Sequence, residues 1–135
     1  MTDVVTVLLT WKDKILLLKR SDQVRTYKEK WAGISGYVEQ DEQPLDTAYK
    51  ELKEEVGLVA SDVELLMQAH SLSFTDKEND TVHRWTVHPF IFFVRNREKI
   101  QIDWEHSEYA WILPQHVDIY DTVPRLKDIV HNLFQ

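Results

Sequence analysis

Two periods run through the apolar positions of the chain. Val4 to Leu9 is β-branched and apolar, and Ile15 to Leu18 is a second apolar run. The polar break Lys12-Asp13-Lys14 between them predicts a hairpin of two largely buried strands. Ser21 to Lys30 is polar and basic and reads as a loop. Trp31 to Val38 holds Gly33 and Gly36, which suits a short strand or turn where backbone approaches something closely. The period then changes. Leu45, Ala48, Tyr49, Leu52 and Val56 recur at spacings of three and four, the stripe of an amphipathic helix. Pro44 suits the first turn and Gly57 a left-handed cap, so the helix is expected over 44–56.

Beyond the helix the pattern returns to strands. Val63 to Leu72 is expected to be one, although Met67-Gln68-Ala69 would also fit a helix. Phe74 to Asp80 reads as a charged loop. Thr81 to Val94 reads as one or two strands, with Pro89 as an irregularity. Ile100 and Ile102 alternate with polar residues, Trp111-Ile112-Leu113 is short and apolar, and Pro114 to Val117 suits one helical turn. Pro124 can open a last helix with Leu126, Ile129, Val130, Leu133 and Phe134 on one side. Strands outnumber helices, which predicts a sheet covered by helices. No repeat, linker or low-complexity segment interrupts it, so 1–135 is expected to be one domain.

Composition narrows the chemistry. Lys and Arg total 16 against 23 Asp and Glu, a formal charge of -7. Such a surface is a poor general partner for nucleic acid, whose phosphates seek a basic one. Cysteine is absent, which excludes disulfides, thiolate catalysis and Cys-ligated metal sites. The start Met-Thr-Asp-Val lacks the basic and apolar regions of a signal peptide, and no apolar run approaches a membrane span. The expectation is a cytoplasmic protein with no membrane partner.

One constellation stands out. Glu51, Glu54 and Glu55 occupy i, i+3 and i+4 of the expected helix, so their carboxylates can converge. Most Glu-rich helices simply present a solvated acidic face. Converging carboxylates can instead hold Mg2+ or Mn2+, hard cations that often join carboxylates to substrate phosphates. Glu42 precedes the helix, and Lys50 can pair with Glu54 at i+4. Upstream, Lys19, Arg20, Arg25, Lys28 and Lys30 form a basic cluster, either a solvated loop or phosphate contacts, with Arg20 and Arg25 the favoured contacts. Tyr27, Trp31, Phe74 and Trp85 suit either a core or base stacking. The six histidines lack zinc-site spacing and read as structural, with His83 and His88 on opposite faces of a strand.

The spacing around the helix is more specific than its charge. From Gly36 the chain runs to Glu42, then Lys50-Glu51-Leu52-Lys53-Glu54-Glu55-Val56-Gly57-Leu58. This resembles the Nudix box, G-x5-E-x7-R-E-U-x-E-E-x-G-U with U a bulky aliphatic, and departs from it only where Lys50 replaces Arg. Trp31 and the segment Glu105 to Trp111 also look like the family.

The resemblance implies a three-layer α/β/α sandwich around a mixed sheet. It also implies hydrolysis of a diphosphate linked to another moiety X, with Mg2+ or Mn2+. By position, Glu51, Glu54 and Glu55 would be metal ligands, joined by the backbone carbonyl of Ser35. Glu42 would be a supporting acid at the helix start. Glu105 would be the outlying glutamate near the metals, with Glu108 the second candidate. Glu54 or Glu105 would serve as base. Lys50 would orient a glutamate less rigidly than Arg does. The implied partner is a small-molecule phosphoanhydride, such as a nucleoside triphosphate, a nucleotide sugar or a dinucleoside polyphosphate; the oligomeric state is left open. The competing reading is a non-catalytic Nudix-like module that binds a nucleotide. Such modules usually lose box glutamates, and this chain keeps Glu51, Glu54 and Glu55.

Overall fold

A computed structural model describes residues 1–134. Its strands are β1 (Thr2–Trp11), β2 (Lys14–Arg20), β3 (Trp31–Ala32), β4 (Ile34–Tyr37), β5 (Val63–Gln68), β6 (Leu72–Glu78), β7 (Thr81–Val94) and β8 (His106–Ile112). The helices are α1 (Pro44–Val56) and α2 (Leu126–Leu133), with 3-10 turns at Ala60–Asp62, Arg97–Lys99 and Pro114–Ile119. The strands form one mixed sheet. β1 and β7 pair in parallel from Thr2↔Trp85 to Thr10↔Phe93, and the other ladders are antiparallel.

The two-residue alternation of the strands builds two cores, one on each sheet face. Val5, Val7 and Leu9 join Leu16, Leu18, Phe90 and Phe92 beneath α1, which contributes Ala48, Leu52 and Val56. Leu8, Ile15 and Leu17 join Trp85 and Val87 on the opposite face, covered by Leu126, Ile129 and Val130 of α2. Each large apolar side chain buried this way contributes about 1.5–3 kcal/mol. The result is the α/β/α layering expected from the sequence.

α1 has the expected bounds. Pro44 opens it, and Gly57 at φ 72° closes it with its N–H directed to the last carbonyls. Several other expectations change. Phe74 to Asp80 is not a loop for most of its length, because β6 runs to Glu78 and pairs with β7. Val63 to Leu72 is not one strand: β5 ends at Gln68, and after a break β6 begins at Leu72. β7 is one unbroken strand of 14 residues despite Pro89. Pro89 falls in the gap where β7 exchanges β6 for β5, between the pairs Leu72↔Val87 and Gln68↔Phe90. Its carbonyl accepts from Ala69 N there, and no partner requires its missing N–H. α2 begins at Leu126, two residues after Pro124, following Arg125 at φ 69°.

One topological feature positions the site. The β1–β2 hairpin pairs at Thr10↔Ile15 and Trp11↔Lys14 and then parts. β4 fills the vacated edge of β1 from Val4 to Val7, while β2 turns to β8 and β3. The parted strands leave a cleft floored by sheet residues such as Val4, Thr6 and Ala32. Among the described residues, no helix is long and apolar enough to cross a membrane.

Candidate active site

The cleft is a cavity of about 410 Å³ with two chemically distinct ends. Glu51 and Glu54 of α1, Glu39 and Glu105 line the acidic end with Arg20, Lys50 and Ser35. Tyr37, Phe74, Trp85, Val87, Leu126 and Ile129 line the apolar end.

Helix geometry sorts the three glutamates. Thr47, Glu51 and Glu55 recur at i+4 immediately beside the core stripe Ala48, Leu52 and Val56, so Glu51 and Glu55 are carried into the protein. Glu55 is 2% exposed and Glu51 8% exposed. Glu54 lies on the next row and is exposed. Gly36 on β4 lets Glu51 in, since a Cβ at that position would overlap the Glu51 carboxylate. Ser35 N faces Glu55 Oε1 at 3.5 Å. In an antiparallel strand the carbonyl of a residue points to the same edge as its N–H, so the Ser35 carbonyl also turns from β1 toward the helix.

Burial pushes the Glu55 carboxyl well above the usual range, and contact with the Glu51 carboxylate and the charges of Glu105 and Asp103 add to it. Burial likewise raises Glu51, with Glu54 and Glu105 adding. Glu55 Oε2 is buried with no hydrogen-bond partner. A native fold rarely leaves such an oxygen alone, and an oxygen-seeking cation is what this donor set lacks. The residues present therefore fit a divalent metal. Among the described residues, no three acidic or His side chains are already gathered around one point. Like charges without a cation between them repel, and Glu54 faces solvent.

The supporting residues depart from simple helix spacing. Lys50 does not pair with Glu54. Its Nζ donates to Glu42 Oε1 at 3.0 Å and forms an ion pair with Oε2 at 2.9 Å, and Glu42 also accepts from Glu39 N and Thr47 Oγ1. Lys50 thereby ties the loop before α1 to the helix, and Lys50 and these hydrogen bonds hold the Glu42 carboxyl below its usual range. Arg20 reaches the cavity at a β-bulge between Lys19 and Arg20, where the β2–β8 register shifts. Its Nε donates to Thr26 O at 2.9 Å and its Nη2 to Thr26 Oγ1 at 3.2 Å, leaving other guanidinium donors for a ligand. The same bulge sets it beside Glu105, whose backbone carbonyl accepts from Ser21 N at 2.7 Å. Glu105 is half-buried; burial raises its carboxyl and Asp103 adds to this, while Arg20 opposes it.

Other candidates lie elsewhere. Arg25 is exposed and is not among the cavity-lining residues. Glu108 is exposed on β8, 4.0 Å from Lys19. Trp31 packs edge-on against Tyr120 rather than lining the cavity. Tyr27 and Trp85 do line it: Trp85 Nε1 donates to Tyr27 Oη at 3.1 Å, and Tyr27 Oη donates to Asp76 at 2.9 Å. Tyr37, at the end of β4, and Glu39, in the loop that follows, were not singled out from the sequence, because nothing local marks them as facing the cavity. His106 was read as structural, and the structure buries it against Glu55. Its place directly after Glu105 was the available signal.

A sequence profile described as the NUDIX domain matches residues 1–133. The chain belongs to the Nudix family. It is accordingly a hydrolase acting on phosphoanhydride bonds. No curated protein sequence matches the chain significantly. Among solved structures, it resembles the Escherichia coli dihydroneopterin triphosphate pyrophosphohydrolase at a TM-score of 0.80 and 21% identity, over 98% of this chain and 94% of that one. A MutT protein from Methanosarcina mazei Go1 superposes at 0.80 with 22% identity, over 97% and 91%. A Caenorhabditis elegans Ap4A hydrolase superposes at 0.72 with 14% identity, over 97% and 93%. At these identities the likeness speaks for the Nudix fold.

Proposed function

We propose that this Nudix domain hydrolyses the diphosphate linkage of a nucleoside diphosphate joined to another moiety X, with Mg2+ or Mn2+, in the cytoplasm. The observation that carries the proposal is the unpartnered, buried Oε2 of Glu55 behind Glu51, which itself lines the acidic end of a cavity whose other end is aromatic and apolar. A diphosphate fits the first end only with a cation, and a ring-bearing X fits the second.

Glu51, Glu54 and Glu55 hold the cation, with the Ser35 carbonyl as a backbone ligand. When bound, a divalent cation polarises phosphoryl oxygens and acidifies an attacking water. Arg20, anchored by Thr26, directs its remaining guanidinium donors to phosphate oxygens. Lys50 lines the same end and adds positive charge while it fixes Glu42. Glu105 takes the water's proton: it is half-buried in the cavity wall, and its raised pKa makes its carboxylate the stronger base. Glu54, exposed at the cavity edge, is the second candidate for that proton.

X packs against Trp85, Phe74 and Tyr37. Dihydroneopterin triphosphate and Ap4A, named for two of the similar structures, indicate the kind of substrate such an end can take.

The test is a panel of nucleoside triphosphates, nucleotide sugars and dinucleoside polyphosphates with Mg2+ or Mn2+, run in 18O-labelled water with products resolved. Turnover should vanish with EDTA and fall at least about 100-fold in Glu55→Gln. Hydrolysis that persists in Glu54→Gln, Glu55→Gln and Glu105→Gln alike would refute the assignment.

A further inference from the structure

The reaction scheme uses no histidine, yet His106 occupies a built position. It opens β8 opposite Arg20, at the point where the bulge shifts the ladder. Its side chain is 2% exposed. Nδ1 lies 3.0 Å from Asp103 Oδ1, and the backbone N–H of His106 donates to Asp103 O at 3.2 Å. Asp103 Oδ1 also accepts from Glu105 N at 3.2 Å, so the carboxylate is held by the chain on both sides. The other ring nitrogen, Nε2, stands 3.4 Å from Glu55 Oε1. The line Asp103–His106–Glu55 therefore ends at the glutamate whose second oxygen, Oε2, has no partner.

We propose that His106 is a positioning residue for Glu55: clamped by Asp103, its buried ring packs 3.4 Å from Oε1, bars the carboxyl from turning that way and leaves Oε2 as the oxygen presented to the cation. This rests on Glu55 being a metal ligand, as proposed above. The physical need is plain. Glu55 has three side-chain torsions and sits beside another carboxylate, whose repulsion would turn it away before an ion arrives. A ring held at its far nitrogen removes that freedom without adding a further carboxylate. Ser35 N donates to the same Oε1 at 3.5 Å, a long hydrogen bond that fixes one side of the carboxyl, and the buried ring at 3.4 Å closes the other. Burial also leaves the ring no solvent-facing alternative.

The experiment measures Mn2+ affinity by the electron paramagnetic resonance of free Mn2+, with no substrate present. His106→Leu removes both nitrogens at similar volume and should weaken Mn2+ binding about 10–100-fold, the range for residues that orient a metal ligand. His106→Gln can return an amide to the Nε2 position and should recover most of that loss. Asp103→Ala, at a half-buried site, should weaken binding several-fold through the unclamped ring. Turnover of His106→Leu should approach wild type when Mn2+ is raised to saturation. A His106→Leu variant that melts earlier in EDTA yet binds Mn2+ with the wild-type Kd would assign His106 to packing alone and overturn the inference. If His106→Leu does not fold, an unchanged Kd in Asp103→Ala overturns it equally. A wild-type protein that binds no Mn2+ overturns the metal site itself, a separate and recognisable failure.

Discussion

Replacing Glu55 by Gln should make the metal-free protein more stable and the metal-loaded protein less so. The side chain is 2% exposed, its Oε2 has no partner, and burial together with Glu51, Glu105 and Asp103 disfavours its charge. Gln keeps the shape, drops the charge and brings amide hydrogens beside the Glu51 carboxylate. A buried acceptor without a partner costs about 1–3 kcal/mol. For a chain this size about 1 kcal/mol moves the melting point by about 4 °C, so Glu55→Gln should melt about 4–12 °C above wild type in EDTA. At a Mn2+ concentration about 100 times Kd, ligation stabilises the wild type by about 2.7 kcal/mol, a rise of about 10 °C that the variant should lack. The two curves should therefore change order between EDTA and excess Mn2+. Scanning calorimetry of both proteins at neutral pH, in each buffer, reads this directly. If the variant melts at or below wild type in EDTA, Glu55 is not an uncompensated buried acid. If it gains as much from Mn2+, it is not a ligand.

Three further outcomes are expected. Gly36→Ala places a methyl group where the Glu51 carboxylate lies; the strand should tolerate it, while kcat/KM falls about 10–100-fold as Glu51 is displaced, and unchanged kinetics would show that Glu51 is free to move without consequence. Lys50→Arg restores the residue the Nudix pattern carries and can still reach Glu42, so turnover should stay equal or rise; a large loss in steady-state assays would contradict the tethering role. Burial, with Asp76 opposed by the Trp85 hydrogen bond, pushes the Tyr27 hydroxyl up to about 12, so the fold favours its neutral form. The stability it contributes is full below pH 10 and is lost as the pH rises toward 12, by about 1 kcal/mol after allowance for solvent screening; denaturant titrations of Tyr27→Phe should show a shallower decline across that window.

Local chemistry made much of the molecule legible from residues alone. α1 announces itself by its apolar stripe and by Pro44 and Gly57 at its ends, because capping and periodicity are satisfied within a few residues. The spacing of Glu51, Glu54 and Glu55 is readable for the same reason. β1 and β2 follow from their continuous apolar runs and the polar break between them, and the alternating direction of their side chains divides the two cores. β6 was hidden because Asp76 and Glu78 imitate a loop. They face Tyr27, a loop residue 49 and 51 positions away, whose Oη and N donate to them, and only assembly reveals that pairing. The split of the β1–β2 hairpin, the bulge that turns Arg20 toward Glu105, and the burial of His106 between Asp103 and Glu55 have the same origin. Each depends on which distant strand occupies a shared edge, a long-range competition for hydrogen bonds and buried area that no stretch of neighbouring residues encodes.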